Sequence, residues 1–242
     1  QALQDEGGWM ERSLSFAFAD YAALMVKRLG DRVKHWATFN EPAVTAFAGH
    51  LWGGHAPGVQ DLRSAHQVAH HLLLAHGLAV QTIRSVDPGA EVGIVLNLWP
   101  AEPETDSAAD AAAARQSWEQ SETLFMDPLF KGHYPLTAYE TLEDDLPAVQ
   151  DGDLALIAQK LDFLGINYYS RTVVNTGGRV KRVPGAEYTE MDWEVHAPAL
   201  RRLLVQVSRE YDLPPLYITE NGAAFADEVS ADGQVHDPRR LD

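Results

Sequence analysis

Two glutamates of this chain stand in matching settings. Glu41 lies in Thr38-Phe39-Asn40-Glu41-Pro42, and Glu220 lies in Tyr217-Ile218-Thr219-Glu220-Asn221-Gly222. Each follows a short run of apolar, aromatic and β-branched residues, the composition of a buried strand. Each also adjoins an asparagine. Two carboxylates facing one cavity are what hydrolysis of a glycosidic bond requires. One donates a proton to the leaving oxygen, and the other attacks the anomeric carbon or activates water there. A lone strand-end glutamate more often caps a loop or pairs with an arginine. A pair, each beside an asparagine, fits that simpler role less well.

The elements that must carry these residues alternate along the chain. Ser13 to Leu29 places Phe16, Ala19, Ala23, Val26 and Leu29 near helical spacing, with Ser13 the expected N-cap and Gly30 the expected stop. Val33 to Phe39 follows as a strand. A second helix runs from about Arg63 to Val86, capped by Asp61 or Ser64, and Asp87-Pro88-Gly89 ends it. Glu91 to Leu98 is a strand that leads to Trp99-Pro100. Ala108 to Met126 is Ala-rich and reads as one helix. Asp153 to Lys160 is a short helix, and Phe163 to Tyr169 a strand. The loop with Gly177, Gly178, Pro184 and Gly185 leaves room for a hairpin. His196 to Tyr211 is the last helix, and Leu216 to Thr219 the last strand.

Four strands, each preceded by a helix, imply a parallel sheet with crossover helices. A doubly wound sheet and a (β/α)8 barrel both satisfy that pattern. None of the strands is followed by G-x-G-x-x-G or G-x-x-x-x-G-K, the turns that open nucleotide-binding folds. All four end instead in polar or aromatic residues: Asn40-Glu41, Asn97 with Trp99, Asn167 with Tyr168 and Tyr169, and Glu220-Asn221. In a barrel, the C-terminal strand ends form the active-site face. The expected fold class is therefore α/β, a TIM barrel in part.

Composition narrows the chemistry further. Of 242 residues, 45% are hydrophobic and 22% charged, enough to bury a core, so disorder along the whole length is excluded. The absence of cysteine removes disulfide scaffolds, thiolate zinc sites and thiol nucleophiles. The formal net charge of −16 would repel a phosphate backbone or an anionic bilayer, so neither nucleic acid nor membrane is an expected partner. No apolar run approaches the roughly 18 residues of a membrane span. Gln1 to Met10 does not read as a signal peptide, and a cytoplasmic location is the expectation. His66 and His70 are four residues apart on one predicted helix, as a zinc pair would be. No H-E-x-x-H pattern accompanies them, so no metal is expected. These histidines, with His71 and His76, are expected at the surface or in helix packing.

The two glutamate segments resemble the signature strands of glycoside hydrolase family 1, the β-glucosidase family. Leu29-Gly30-Asp31-Arg32-Val33-Lys34 and His55-Ala56-Pro57-Gly58 flank the first signature as they do in that family. His70-His71-Leu72-Leu73-Leu74-Ala75-His76-Gly77, Asp127-Pro128-Leu129-Phe130 and Asp162-Phe163-Leu164-Gly165-Ile166-Asn167-Tyr168-Tyr169 follow in the family's order. The resemblance covers essentially the whole chain. It implies that residues 1–242 are the central to C-terminal part of a single barrel domain, about strands four to seven with their helices. It implies a retaining β-glycosidase acting on terminal β-D-glucosides. Glu41 would be the acid/base and Glu220 the nucleophile. Asn40 would hold the sugar 2-hydroxyl, Asn167 would line the pocket, and Tyr169 would hydrogen-bond the nucleophile and help keep it ionised. The substrate would be a small β-glycoside or short oligosaccharide, with no cofactor.

Two departures qualify the resemblance. The family usually carries Trp directly after Glu-Pro, stacked on the leaving-group sugar; this chain has Ala43, with Trp52 the candidate substitute. The absent strands would supply a Gln, a His-Trp pair, and Trp and Glu groups that grip the glycone. A sugar-binding barrel without catalysis, an inactive fragment, and a metal-dependent hydrolase using the histidines are the competing readings. In an isolated segment, the strands ending at Glu41 and Glu220 would be open edges of a curved sheet.

Overall fold

Helix α1 (Ser13–Leu29) buries its small face, Ala19, Ala22 and Val26, against helix α2 (Leu62–Val86). The structure, a computed structural model, describes every residue except 138, 139, 141–144 and 242. Ser13 is the first residue of α1 rather than its cap. Arg12 occupies the N-cap position without a capping hydrogen bond, since a guanidinium has no acceptor to offer the helix amides; it donates instead to both oxygens of Asp153 at 2.7 and 2.5 Å. Helix α2 is capped by Asp61, whose carboxylate accepts from the Ser64 amide at 2.7 Å. Through its middle it is buried on nearly all sides, as befits a helix enclosed by other elements. At Gly77, a Cβ would lie 2.0 Å from the carbonyl oxygen of Leu156. Only glycine lets the short helix at Asp153–Ile157 approach so closely.

The sheet that bears the site is built from β1 (His35–Asn40), β2 (Glu91–Asn97), β4 (Phe163–Asn167) and β7 (Leu216–Glu220). All pairings are parallel, and the spatial order is β1-β2-β4-β7, so the strands lie in chain order as right-handed crossovers produce. The central strands β2 and β4 are buried almost throughout. The edge strands β1 and β7 are not, and Tyr217 and Ile218 on β7 are 46% and 44% exposed. A smaller sheet pairs β3 (Ala101–Pro103) with β5 (Thr172–Asn175), which turns back into β6 (Gly178–Arg179). This supplies the hairpin for which the glycines left room.

Two helix expectations also need correction. The short helix expected over Asp153 to Lys160 ends at Ile157. The Ala-rich stretch is two helices, α3 (Ala108–Ser121) and α4 (Thr123–Phe130), not one ending at Met126. The hydroxyl of Ser121 donates to the Ser117 carbonyl at 2.8 Å, and that of Thr123 to the Glu119 carbonyl at 2.5 Å. Such back-bonding competes with the helix's own hydrogen bonds, and it flanks the junction residue Glu122, which is buried. Further helices among the described residues are α5 (Asp153–Ile157) and α6 (Ala197–Glu210), with single helical turns at Ala2–Asp5 and Pro238–Leu241.

The α2 histidines belong to helix packing and not to the surface: His66, His70, His71 and His76 are all buried. His70 bonds the Tyr134 hydroxyl at 3.0 Å and Asp153 at 2.9 Å. Burial would raise the Asp153 carboxyl, but Arg12, the Gln150 amide and His70 together hold it well below the usual carboxylate range. His76 meets the Thr38 hydroxyl at 2.7 Å, and burial pushes its pKa down to about 3, so it packs as a neutral ring.

Candidate active site at the strand ends

All four site-bearing strands finish at the same edge of the sheet. The register sets Asn97 beside Asn167 and Asn167 beside Glu220. Asn40 ends β1, and Glu41 follows it with its amide donating to the Val95 carbonyl at 2.9 Å. Glu41 has φ of +50°, a left-handed conformation that is costly for a residue with a Cβ and tends to cluster at functional sites. Pro42 then starts a helical turn that continues as a π-helix over Val44–Ala48, another feature frequent beside sites. The local chain thus turns sharply at the glutamate.

Asn167 ties the cluster together and is fully buried. Its side-chain NH2 donates to Asn40 Oδ1 at 3.0 Å and to Glu41 Oε1 at 2.8 Å. Its oxygen accepts from the Thr219 hydroxyl at 2.6 Å. One amide therefore connects the strand that carries Glu41 to the strand that carries Glu220. Across the same edge, the Tyr169 hydroxyl donates to Glu220 Oε2 at 2.5 Å. That bond, then burial, raises the Tyr169 phenol to about 12. Tyr168 turns the other way and is buried, its hydroxyl donating to the His196 carbonyl at 2.8 Å. Asn221 bonds back to the Tyr168 carbonyl at 2.7 Å.

Chemically, this is a pair of half-buried carboxylates on the two outer strands, with amide and phenol donors between them. Such a set can protonate a leaving oxygen from one side and present a nucleophilic carboxylate from the other.

The chain belongs to glycosyl hydrolase family 1: the model of that family matches residues 1–242. A β-glucosidase of Agrobacterium sp. is 42% identical over 253 residues, which cover 99% of this chain and 54% of that protein. A solved family 1 β-glucosidase from Thermotoga maritima superposes with a TM-score of 0.93 at 40% identity, covering 99% of this chain and 55% of its own. The AHE enzyme from Alicyclobacillus herbarius gives 0.90 at 46% identity, with coverages of 99% and 55%. The chain therefore spans about half the length of the relatives it matches. Its α/β fold is the corresponding part of the family 1 TIM barrel.

Further residues border the glycosyl hydrolase family 1 strand ends that sequence reasoning did not select. Trp193 packs against Tyr169 and against Trp99, each with ring centroids 5.2 Å apart. It lies in the long segment between β6 and α6, where no periodicity marks a site. Ala43 packs against the core. Trp52 is 65% exposed and leans on Phe47, with centroids 6.2 Å apart. Among the described residues, no group of three or more His, Asp or Glu is arranged to hold a metal ion, and no helix is long and apolar enough to cross a membrane. A groove of about 660 Å³ lies elsewhere, between α3, α4 and α6, lined in part by Trp118, Asp127, Lys131, Gln206 and Tyr211. It shares no residue with the strand-end cluster.

Proposed function

We propose that the protein to which this chain belongs is a retaining β-glycosidase that hydrolyses terminal β-D-glucosides. Residues 1–242 would form the central to C-terminal part of its single barrel domain. The observation that carries this reading is the placement of Glu41 and Glu220 at the C-terminal ends of strands β1 and β7, joined through Asn167 and flanked by Tyr169. The relatives named β-glucosidases support the substrate class.

In the proposed reaction, Glu41 gives its proton to the glycosidic oxygen while Glu220 attacks the anomeric carbon. The leaving alcohol departs and a glycosyl ester forms on Glu220. A water molecule, deprotonated by Glu41, then attacks the same carbon and releases Glu220 as a carboxylate. Asn40 would hold the sugar 2-hydroxyl, and Asn167 would line the pocket while its amide holds Glu41. Tyr169 would orient the nucleophile. A small β-glycoside or short oligosaccharide is the substrate, and no step needs a cofactor.

The test uses the complete protein. Glu220→Ala should abolish turnover of every substrate, because no ester can form. Glu41→Ala should slow substrates with poor leaving groups by roughly 10²- to 10⁴-fold. An activated aryl glycoside should suffer much less in the glycosylation step, since its leaving group needs little protonation. Equal losses in that step across all leaving groups would refute the division of roles. A fluoro-sugar that labels Glu220 and is slowly released would separate catalysis from mere sugar binding.

A further inference from the structure

A buried ion network stands behind the strand-end cluster. Immediately after Tyr169 and Ser170, Arg171 sends Nε and Nη2 to the two carboxylate oxygens of Glu194, both at 2.8 Å. Its Nη1 reaches Glu102 Oε2 at 2.6 Å. Arg202 on α6 closes the far side on Glu102 at 2.6 and 2.8 Å. Arg171 and both acids keep only 6% to 15% of their side-chain surface exposed. A forked guanidinium–carboxylate pair at this depth fixes geometry in a way an ammonium cannot.

This network holds the segment that carries Trp193. The Ser170 hydroxyl donates to the Glu194 carbonyl at 2.9 Å, and the Tyr168 hydroxyl to the His196 carbonyl at 2.8 Å. The residues just before Arg171 and the residues after Trp193 are thus bound together. Trp193 is wedged between Trp99 and Tyr169. The ring of Tyr169 is backed by Trp193, and its hydroxyl meets Glu220.

We infer that Arg171 is a positioning residue: through its fork to Glu194 it fixes Trp193, and through Trp193 it aims the Tyr169 hydroxyl at Glu220. Arg171 does not touch the reacting atoms. This inference rests on the proposed nucleophilic role of Glu220 and adds to it the device that holds the nucleophile's donor in place.

A double-mutant cycle in the complete protein tests it, with an aryl β-glucoside as substrate. Arg171→Lys keeps the charge and loses the fork. It should lower kcat about tenfold, as a misplaced catalytic pair does, with KM changed less than about twofold. Once Tyr169→Phe has removed the hydroxyl, Arg171→Lys should cost almost nothing more, because residues acting as one unit are not additive. Arg202→Lys, which spares the fork to Glu194, should leave kcat near wild type. If Arg171→Lys does not fold, Glu194→Gln replaces it in the cycle with the same expectation. Additive losses, or a loss in KM alone, would overturn the inference. Failure of the underlying reading looks different: Glu220→Ala would then keep its activity, whatever the cycle gives.

Discussion

The side-chain NH2 of Asn167 donates to Glu41 Oε1 at 2.8 Å although the two residues lie 126 positions apart. The same amide accepts from Thr219, the residue before Glu220, at 2.6 Å. Because β4 lies directly beside β7, with only β2 between it and β1, Asn167 forms a hydrogen-bonded route from Glu41 to the residue before Glu220. Its removal should therefore be felt at both. In the complete protein, Asn167→Ala is expected to lower kcat/KM on an aryl β-glucoside by about 10²-fold, the typical loss for one preorganised donor. Thr219→Val, which leaves the Glu41 contact in place, should cost distinctly less. Steady-state kinetics of the two variants decide it, and equal losses would mean that the amide does not act through Glu41.

The Tyr169 phenol gives a pH prediction with a definite sign. Its hydroxyl donates to Glu220, and that bond raises its pKa to about 12. The protonated, donating form therefore persists far above neutrality. Tyr169→Phe is expected to lose about 10²-fold in kcat, and the ratio of wild type to variant should stay constant from pH 5 to pH 9. A ratio that shrinks as the pH rises within that range would show the phenol ionising early, contrary to its environment.

The strand-end carboxylates were legible in the sequence for a simple reason. A buried strand needs an apolar run, and a polar residue at its end has no packing role to explain it. Glu41, Asn97, Asn167 and Glu220 all stood out in that way, and the parallel sheet brings their strand ends to one edge. The Arg171–Glu194–Glu102 network did not stand out. Glu102 and Glu194 lie 69 and 23 residues from Arg171; Arg171 and Glu194 sit in irregular segments and Glu102 in the three-residue strand β3, places where charge is ordinarily solvated. The division at Glu122 was equally hidden, because helix propensity sums over a window while the junction is marked only by two hydroxyls, of Ser121 and Thr123, bonded back to helix carbonyls. The burial of the α2 histidines depends on what encloses that helix, which its own sequence does not state.

Glu122 makes stability depend on pH. It is buried, and the Trp99 amide donates to it across a long 3.4 Å. Burial raises its pKa from 4.5 to about 8. Below about pH 4.5 the folded and unfolded states are both protonated, and Glu122 makes no difference between them. As the pH rises, the unfolded chain loses its proton first, so folding becomes less favourable until the folded group also ionises near pH 8. Glu122→Gln cannot ionise. It should stabilise the complete protein at pH 8 by about 1–3 kcal/mol, the scale of an unmet buried polar group, and by far less at pH 5. Urea denaturation at the two pH values measures the difference. An equal effect at both would show that Glu122 is already ionised in the folded state.

The last prediction concerns residues 1–242 expressed by themselves. The four-stranded sheet formed by the described residues has β1 and β7 at its edges, and these are the strands that lead to Glu41 and Glu220. Unpaired strand edges invite association with other chains. Tyr217 and Ile218 on β7 are 46% and 44% exposed, and Phe16 and Leu24 on α1 are 49% and 50% exposed. Each large apolar side chain left in water forgoes roughly 1.5–3 kcal/mol, against a total domain stability of only about 5–15 kcal/mol. The isolated chain is therefore expected to be poorly soluble or molten, to bind hydrophobic dyes, and to show no hydrolysis of an aryl β-glucoside. Activity should appear when the strands that complete the barrel are supplied, in the same chain or as a co-expressed fragment. A soluble, cooperatively melting 242-residue protein that cleaves the aryl β-glucoside, and stops doing so on Glu220→Ala, would show that the open sheet is sufficient for catalysis.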